Sequence, residues 1–277
     1  MSKNIQQFFK YKSLQEVEDY LKNSNSDRNE FSDDIYILVC GHLKHIDDLI
    51  TFYKGLKNTI FVVDETESRE KISKLEDNKI DYIVAPTPKN SGFGNVNLQC
   101  NSSYLGLKEV QKRGGKVCVR MRSDQIILQL EKFLKEYNFS KVSTICFAKN
   151  TPRRNKLDNF EGWNKFFCYN KNIDKDLSLL GTDYILDYCI SGPVQELISM
   201  FNFEEPLPFY APAEHKILLN YYHQTNMDFD NSLSTLKSNF NTMIEFFIKN
   251  KISFLSIKQN YHDWTVAIPL QPDLYWW

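Results

Sequence analysis

No apolar run in the chain approaches the roughly 18 residues needed to span a bilayer, and residues 1–12 lack the apolar centre of a signal peptide. A cytoplasmic chain without a transmembrane segment is therefore expected. No C-x-x-C pair or histidine at ligand spacing accompanies the six cysteines (Cys40, Cys100, Cys118, Cys146, Cys168, Cys189), which removes a zinc site or disulfide framework as the organising feature. Reduced, buried thiols are expected instead. Charge of either sign is not in excess: 34 Lys and Arg stand against 35 Asp and Glu, a formal net of −1, so nothing predicts a sequence-independent grip on nucleic acid and polyanion binding is disfavoured. There is no internal repeat, and no low-complexity tract beyond an Asn/Ser-rich connector at 23–29.

What is present is ordinary globular composition, 42% hydrophobic and 25% charged, over 277 residues, enough for one large core with a modest appendage. The 20 Phe and 15 Tyr supply core area and also suit a sugar site. Residues 1–33 read as a polar helical appendage and 34–277 as a single catalytic-type domain, divided into halves at about 150. In the first half, apolar β-branched runs at 35–40, 59–63, 81–85, 116–121 and 142–147 alternate with helical spacing at 47–56, 68–77, 98–113 and 128–137. Strands alternating with helices predict an α/β fold, Rossmann-type, with a mostly parallel sheet and ligand-binding loops where the strands end. The second half is less regular. It has a run at 184–190 ending in Ser191-Gly192-Pro193, helices at 194–202, 213–222 and 233–249, and a strand at 252–257.

The sharpest chemical feature is Asp124, set just past the buried run that ends in Arg120-Met121-Arg122-Ser123. A carboxylate there can hold Mg²⁺ or Mn²⁺ against a diphosphate, and the metal would neutralise charge on a departing nucleotide. Arg120 and Arg122, two apart on a strand, share a face and suit phosphate oxygens. A structural ion pair between Arg122 and Asp124 is the competing reading. The loop Ser91-Gly92-Phe93-Gly94-Asn95-Val96-Asn97 brings backbone close to a ligand ahead of a helix, but it lacks the third glycine and the lysine of nucleotide fingerprints, so an ordinary helix-entry loop also fits. Because ligands gather where parallel strands end, Cys40, Gly41 and His42 after the first strand and Asp64 and Glu65 after the second are expected to face the nucleotide.

In order and separation, Asn95-Val96-Asn97-Leu98-Gln99, Ser102-Ser103-Tyr104-Leu105-Gly106-Leu107 and Val119-Arg120-Met121-Arg122-Ser123-Asp124 resemble the WavE lipopolysaccharide-synthesis family. Leu186-Asp187-Tyr188-Cys189-Ile190-Ser191-Gly192 and Ala213-Glu214-His215-Lys216-Ile217-Leu218 are similar to two further boxes of that family. The resemblance runs from about residue 35 to 222 and implies a GT-A-like fold, a nucleoside-diphosphate sugar as donor, and a surface glycan or glycolipid as acceptor, through which the protein would lie peripherally at a membrane. It places Asn95, Asn97, Gln99, Arg120, Arg122, Ser123 and Asp124 at the donor. The sequence departs from the family at Leu98, where the family has Arg, and at Arg120, where it has Lys. The Asp-x-Asp of many GT-A enzymes is reduced to Ser123-Asp124-Gln125. A late histidine completes the metal site in many such enzymes, and His262 is in that position, either as a ligand or as a structural residue.

Transfer to a hydroxyl needs a carboxylate base. Glu214 opens a helix after Pro208 and Pro212, where the helix dipole favours the ionised form, although it could equally serve only that helix. Asp187, inside an apolar run, is assigned the orienting role, and Glu214 the base. Three functions compete: a glycosyltransferase, a sugar-phosphate nucleotidyltransferase, and a non-catalytic glycan-binding relative. Gly41-His42-Leu43-Lys44 is not the Gly-rich, Arg- and Lys-bearing loop the second would need, whereas the single carboxylate at Asp124 is what sustains the third.

Overall fold

A computed structural model describes residues 28–91, 95–124, 126–127, 130–146, 186–202, 217, 220–221, 252–256 and 266–267. The expected helices at 13–22 and 233–249 lie outside them. Seven strands form one sheet in the order β3-β2-β1-β4-β7-β6-β8: β1 Ile35–Cys40, β2 Thr59–Asp64, β3 Asp81–Ala85, β4 Val117–Arg122, β6 Val142–Cys146, β7 Leu186–Pro193 and β8 Ile252–Ser256. A two-residue β5, Ile126–Ile127, pairs separately with β9, Val266–Ala267. The α1 helix (Ile46–Tyr53), α2 (Arg69–Asp77) and α4 (Leu130–Glu136) cover one face, and α3 (Val96–Lys112) with α5 (Val194–Phe201) covers the other. The arrangement is the mixed α/β, Rossmann-type and mostly parallel sheet flanked by helices that the alternation predicts.

The centre of the sheet follows from composition. Every residue of Thr59–Asp64 is buried, as expected for a parallel strand covered on both faces, and β1 is buried at all but Tyr36. β1 pairs with β2 through Ile37 opposite Thr59 and with β4 through Ile35 opposite Val117, so the carboxyl ends of β1 and β4 finish level, Cys40 beside Arg122. α3 lies close on this sheet because Gly106 has no side chain: a Cβ there would stand 2.6 Å from Leu38 and 2.7 Å from Val62.

β7 departs from expectation. It runs antiparallel to both β4 and β6 and lies between them, so strands from both halves of the chain alternate in one sheet. The strand also continues through Ser191-Gly192-Pro193, where the apolar run was expected to have ended. Pro193 pairs with Val117 at the strand's last residue, a position that spares a proline the ladder bond it cannot donate, and the next N–H, that of Val194, bonds Lys116 O at 2.9 Å. Across the far face, the Asn220 amide donates to the carbonyls of Ser199, Met200 and Asn202 at 3.2, 2.9 and 3.0 Å, closing the carboxyl end of α5. Among the described residues no helix is long and apolar enough to cross a membrane.

Candidate functional site

The carboxyl ends of β1 and β4 are stitched together. Ser123 N donates to Cys40 O at 2.9 Å and Ser123 Oγ to His42 O at 2.8 Å. Gly41 sits against this hydroxyl with φ +127°, a conformation that glycine adopts without penalty. Two residues that sequence reasoning placed at the donor, Gly41 and Ser123, thus form the rigid floor of the edge.

From that floor the chain turns into Asp124, which forms a two-pronged pair with Arg122: Nε donates to Oδ1 at 2.9 Å and Nη2 to Oδ2 at 2.6 Å. Both side chains are a little over a quarter exposed. The structural ion pair anticipated as the competing reading is therefore present, and it sits at the carboxyl edge of the sheet.

Arg120 takes a different place from Arg122. It is 1% exposed, donates from Nε to Ser103 Oγ at 3.1 Å, and stands over the Phe201 ring at 5.6 Å. The two arginines share strand parity, but the first is enclosed by α3 and α5. Cys40 is also interior, and burial pushes its thiol up, against a smaller opposing pull from Arg120. The structure thus places the side chains of both Arg120 and Cys40, two of the residues expected at the nucleotide, in the interior.

At the end of β2, Asp64 is buried. Its Oδ1 accepts from Thr66 N at 2.9 Å, from Thr66 Oγ1 and from Thr87 Oγ1 at 2.8 Å. Its Oδ2 is buried with no hydrogen-bond partner. Burial works to raise this carboxyl, but the bonds from Thr66 and Thr87, with the charge of His42, outweigh it and hold the group below the ordinary carboxylate range. Thr87 also donates its N–H to Glu65 Oε1 at 2.9 Å, so one residue of the loop after β3 bonds both Asp64, the last residue of β2, and Glu65, which follows it.

Glu67 was not anticipated. Its side chain is 6% exposed, accepts from Leu43 N at 2.8 Å and from Lys71 Nζ at 2.7 Å, and lies 3.9 Å from His42 Nδ1. Burial raises it, but Lys71 and the Leu43 N–H prevail and hold it below its usual value. It anchors the loop carrying His42, which is itself half exposed. Glu67 precedes the helix cap Ser68 in a charged stretch, and nothing in its spacing separates an anchor from a surface acid. Thr66 and Thr87 were missed for the same reason.

The Asn95–Gln99 box opens α3. Asn95 is left-handed at φ +59° and makes no side-chain cap bond. Asn97 turns to its own loop, with N bonding Ser91 O at 3.0 Å and Nδ2 bonding Asn90 O at 3.1 Å, while Gln99 Oε1 is buried without a partner. Asp187 lies on β7. The strand's pairing with β4 runs as far as Cys189 opposite Met121, and its register against β6 shifts between Ile190 and Leu186. Glu214 and His262 lie outside the described residues.

No family model matches the chain and no curated protein matches it, so the resemblance to the WavE family rests on the motifs alone. Among solved structures, it is similar to that of a mannose-1-phosphate geranyltransferase from Thermus thermophilus, at 11% identity over 66% of this chain and 67% of that one, with a TM-score of 0.34. A likeness at that level does not bear on the chemistry of this chain.

Proposed function

We propose that the chain is a nucleotide-sugar enzyme, and specifically a glycosyltransferase that moves a sugar from a nucleoside-diphosphate donor to a glycan hydroxyl. One observation carries this reading. The carboxyl edge of the parallel sheet holds, at the ends of β2 and β4 on either side of β1, a buried carboxylate oxygen lacking a donor at Asp64 and a guanidinium–carboxylate pair at Arg122 and Asp124. The first suits an N–H or O–H of a nucleoside. The second sets a guanidinium, a group whose planar geometry matches phosphate oxygens, at the same edge.

In this reading Gly41, His42, Asp64 and Glu65 form the nucleoside side. The Arg122–Asp124 end is assigned to the diphosphate, and Asp187, on β7, is assigned the role of orienting the acceptor or sugar. Residues 34–150 form the donor half and 151–277 the acceptor half. Glu214 is assigned the base, removing the acceptor proton as the hydroxyl attacks the anomeric carbon and the nucleoside diphosphate departs.

A sugar-phosphate nucleotidyltransferase would use a similar sheet and could employ the same Asp64 oxygen for its nucleoside. The reactions differ in what they release. Incubation with UDP-, GDP- and dTDP-sugars is expected to yield free nucleoside diphosphate with transfer to a glycan. Pyrophosphate released from a nucleoside triphosphate and a sugar-1-phosphate would instead establish the nucleotidyltransferase. Binding of a glycan with neither product would establish the non-catalytic relative.

A further inference from the structure

We infer that the outer edge of β3 is a self-association surface, where a second copy of the chain adds its own β3 antiparallel across a two-fold axis and joins the two sheets. The inference is independent of the reaction assigned above.

β3 is the end strand of the sheet. Ala85 O accepts from Glu65 N at 3.0 Å, so Ala85 faces β2, and by the alternation of a strand Asp81 and Ile83 face it too. The backbone N–H and C=O groups of Tyr82 and Val84 therefore point outward, and no described residue hydrogen-bonds them. The features that usually blunt such an edge are missing from it. Residues 81–85 contain no proline, lysine or bulge, and their one charge, Asp81, is paired with Arg113. Val84, 50% exposed, stands out among the described residues as an exposed large hydrophobic side chain.

Symmetry selects the occupant. In an antiparallel ladder, two residues facing each other at a closely bonded pair exchange both of their backbone bonds. A two-fold axis through Ile83 sets Tyr82 opposite the partner's Val84 and Val84 opposite the partner's Tyr82, and the outward groups of both strands meet in four bonds. Tyr82 packs on the α2 side of the sheet, and Val84 shares its parity. Each exposed Val84 thus gains an aromatic cross-strand neighbour. Pro86 and Pro88 end the ladder on one side, and Lys79, at φ +54°, on the other.

Charge agrees with this arrangement. Tyr82 Oη donates to Glu76 Oε1 at 2.7 Å, and Arg69 Nη2 donates to Glu76 Oε2 at 3.2 Å, so Arg69 and Glu76 form a stripe of α2 beside the edge. Their side chains are 74% and 38% exposed. Arg69 opens the helix and Glu76 lies in its last turn, the reverse of what the helix's own dipole favours for these two charges. Antiparallel β3 strands bring the two copies of α2 together in opposite directions, so the Arg69 end of each meets the Glu76 end of the other.

Sedimentation equilibrium of the full chain across the micromolar range tests this, with a dimer as the expected result. Val84→Pro removes an N–H that the chain's own sheet does not use, so its urea midpoint should match the parent's, while two of the four bonds between copies are lost. The dissociation constant of the dimer should rise at least tenfold. Val84→Glu, which keeps the N–H but sets a carboxylate against the partner's Tyr82 and the partner's Glu76, should weaken the dimer by a similar factor, and it decides the matter should the proline variant prove unstable. Glu76→Arg should also weaken it, and combining Glu76→Arg with Arg69→Glu should recover most of the loss. A dimer that both Val84 variants leave unchanged overturns the inference. A parent that stays monomeric overturns it as well, and leaves the edge to a strand of a different protein.

Discussion

A Cβ placed on Gly41 would lie 2.6 Å from Ser123 Oγ, so the ends of β1 and β4 are shaped to one another and cannot be altered independently. Gly41→Ala meets two penalties, the contact and a φ of +127°, and is expected to lose about 1–3 kcal/mol of stability. Adding Ser123→Gly removes the contact and leaves the backbone strain. Urea unfolding of the two single variants and the double should show the double losing less than the sum. Strict additivity would mean the two strand ends do not touch as described.

Acid sensitivity is expected from Asp64 and Glu67. Both carboxyls are held below their ordinary values in the folded protein, so each stabilises it above the unfolded-state value, about 4, and that contribution fades as pH falls through the lower folded value. The stability gap between the parent and Glu67→Gln should therefore be full at pH 7 and shrink toward pH 3. Urea midpoints across that range measure it, and a gap that widens with acid would contradict the bonding described.

Arg120 separates folding from binding. Arg120→Lys loses the planar contact with Phe201 and the Nε bond to Ser103, with an expected loss of about 1–3 kcal/mol. Because the side chain is enclosed, nucleoside-diphosphate affinity of the folded variant should be unchanged. An affinity drop tenfold or larger in calorimetry would restore Arg120 to the donor site.

The assignment of the base is tested by a pair of variants. Glu214→Gln should lower turnover by roughly two to four powers of ten with donor binding retained, the range for loss of a general base. Asp187→Asn should act mainly on the acceptor KM. Near-parent turnover in the first variant beside an inactive second would exchange the two roles.

The fold was legible where side-chain burial obeys a period. Ile35–Cys40 and Thr59–Asp64 are apolar runs of strand length flanked by turn residues, and the structure begins and ends them within a residue of expectation. The direction of β7 was not legible, because an apolar run reads the same whichever way it crosses a sheet. The β5–β9 pairing has two residues a side and no period to detect. At the candidate site, Asp64 and Asp124 were visible as acids at the ends of buried strands. Parity put Arg120 and Arg122 on one face, but what encloses Arg120 comes from Ser103 on α3 and Phe201 on α5, partners that no local pattern contains. Thr87 holds Asp64 and Glu65 from the neighbouring strand's loop, and that pairing arises only once β2 and β3 lie side by side.

The position of β7 between β4 and β6 also sets a timetable for synthesis. β4 ends at Arg122, and the strand that covers its open side begins at Leu186. At about 5–20 residues per second on the ribosome, that edge waits several seconds for its partner to emerge. β6 appears first, and it runs in the same direction as β4, so it could occupy the vacant place beside β4 before β7 arrives. The nascent chain thus has a ready-made wrong neighbour. Ribosome-bound intermediates stalled between residues 146 and 186 are where premature β4–β6 pairing, and any dependence on chaperones, should be sought.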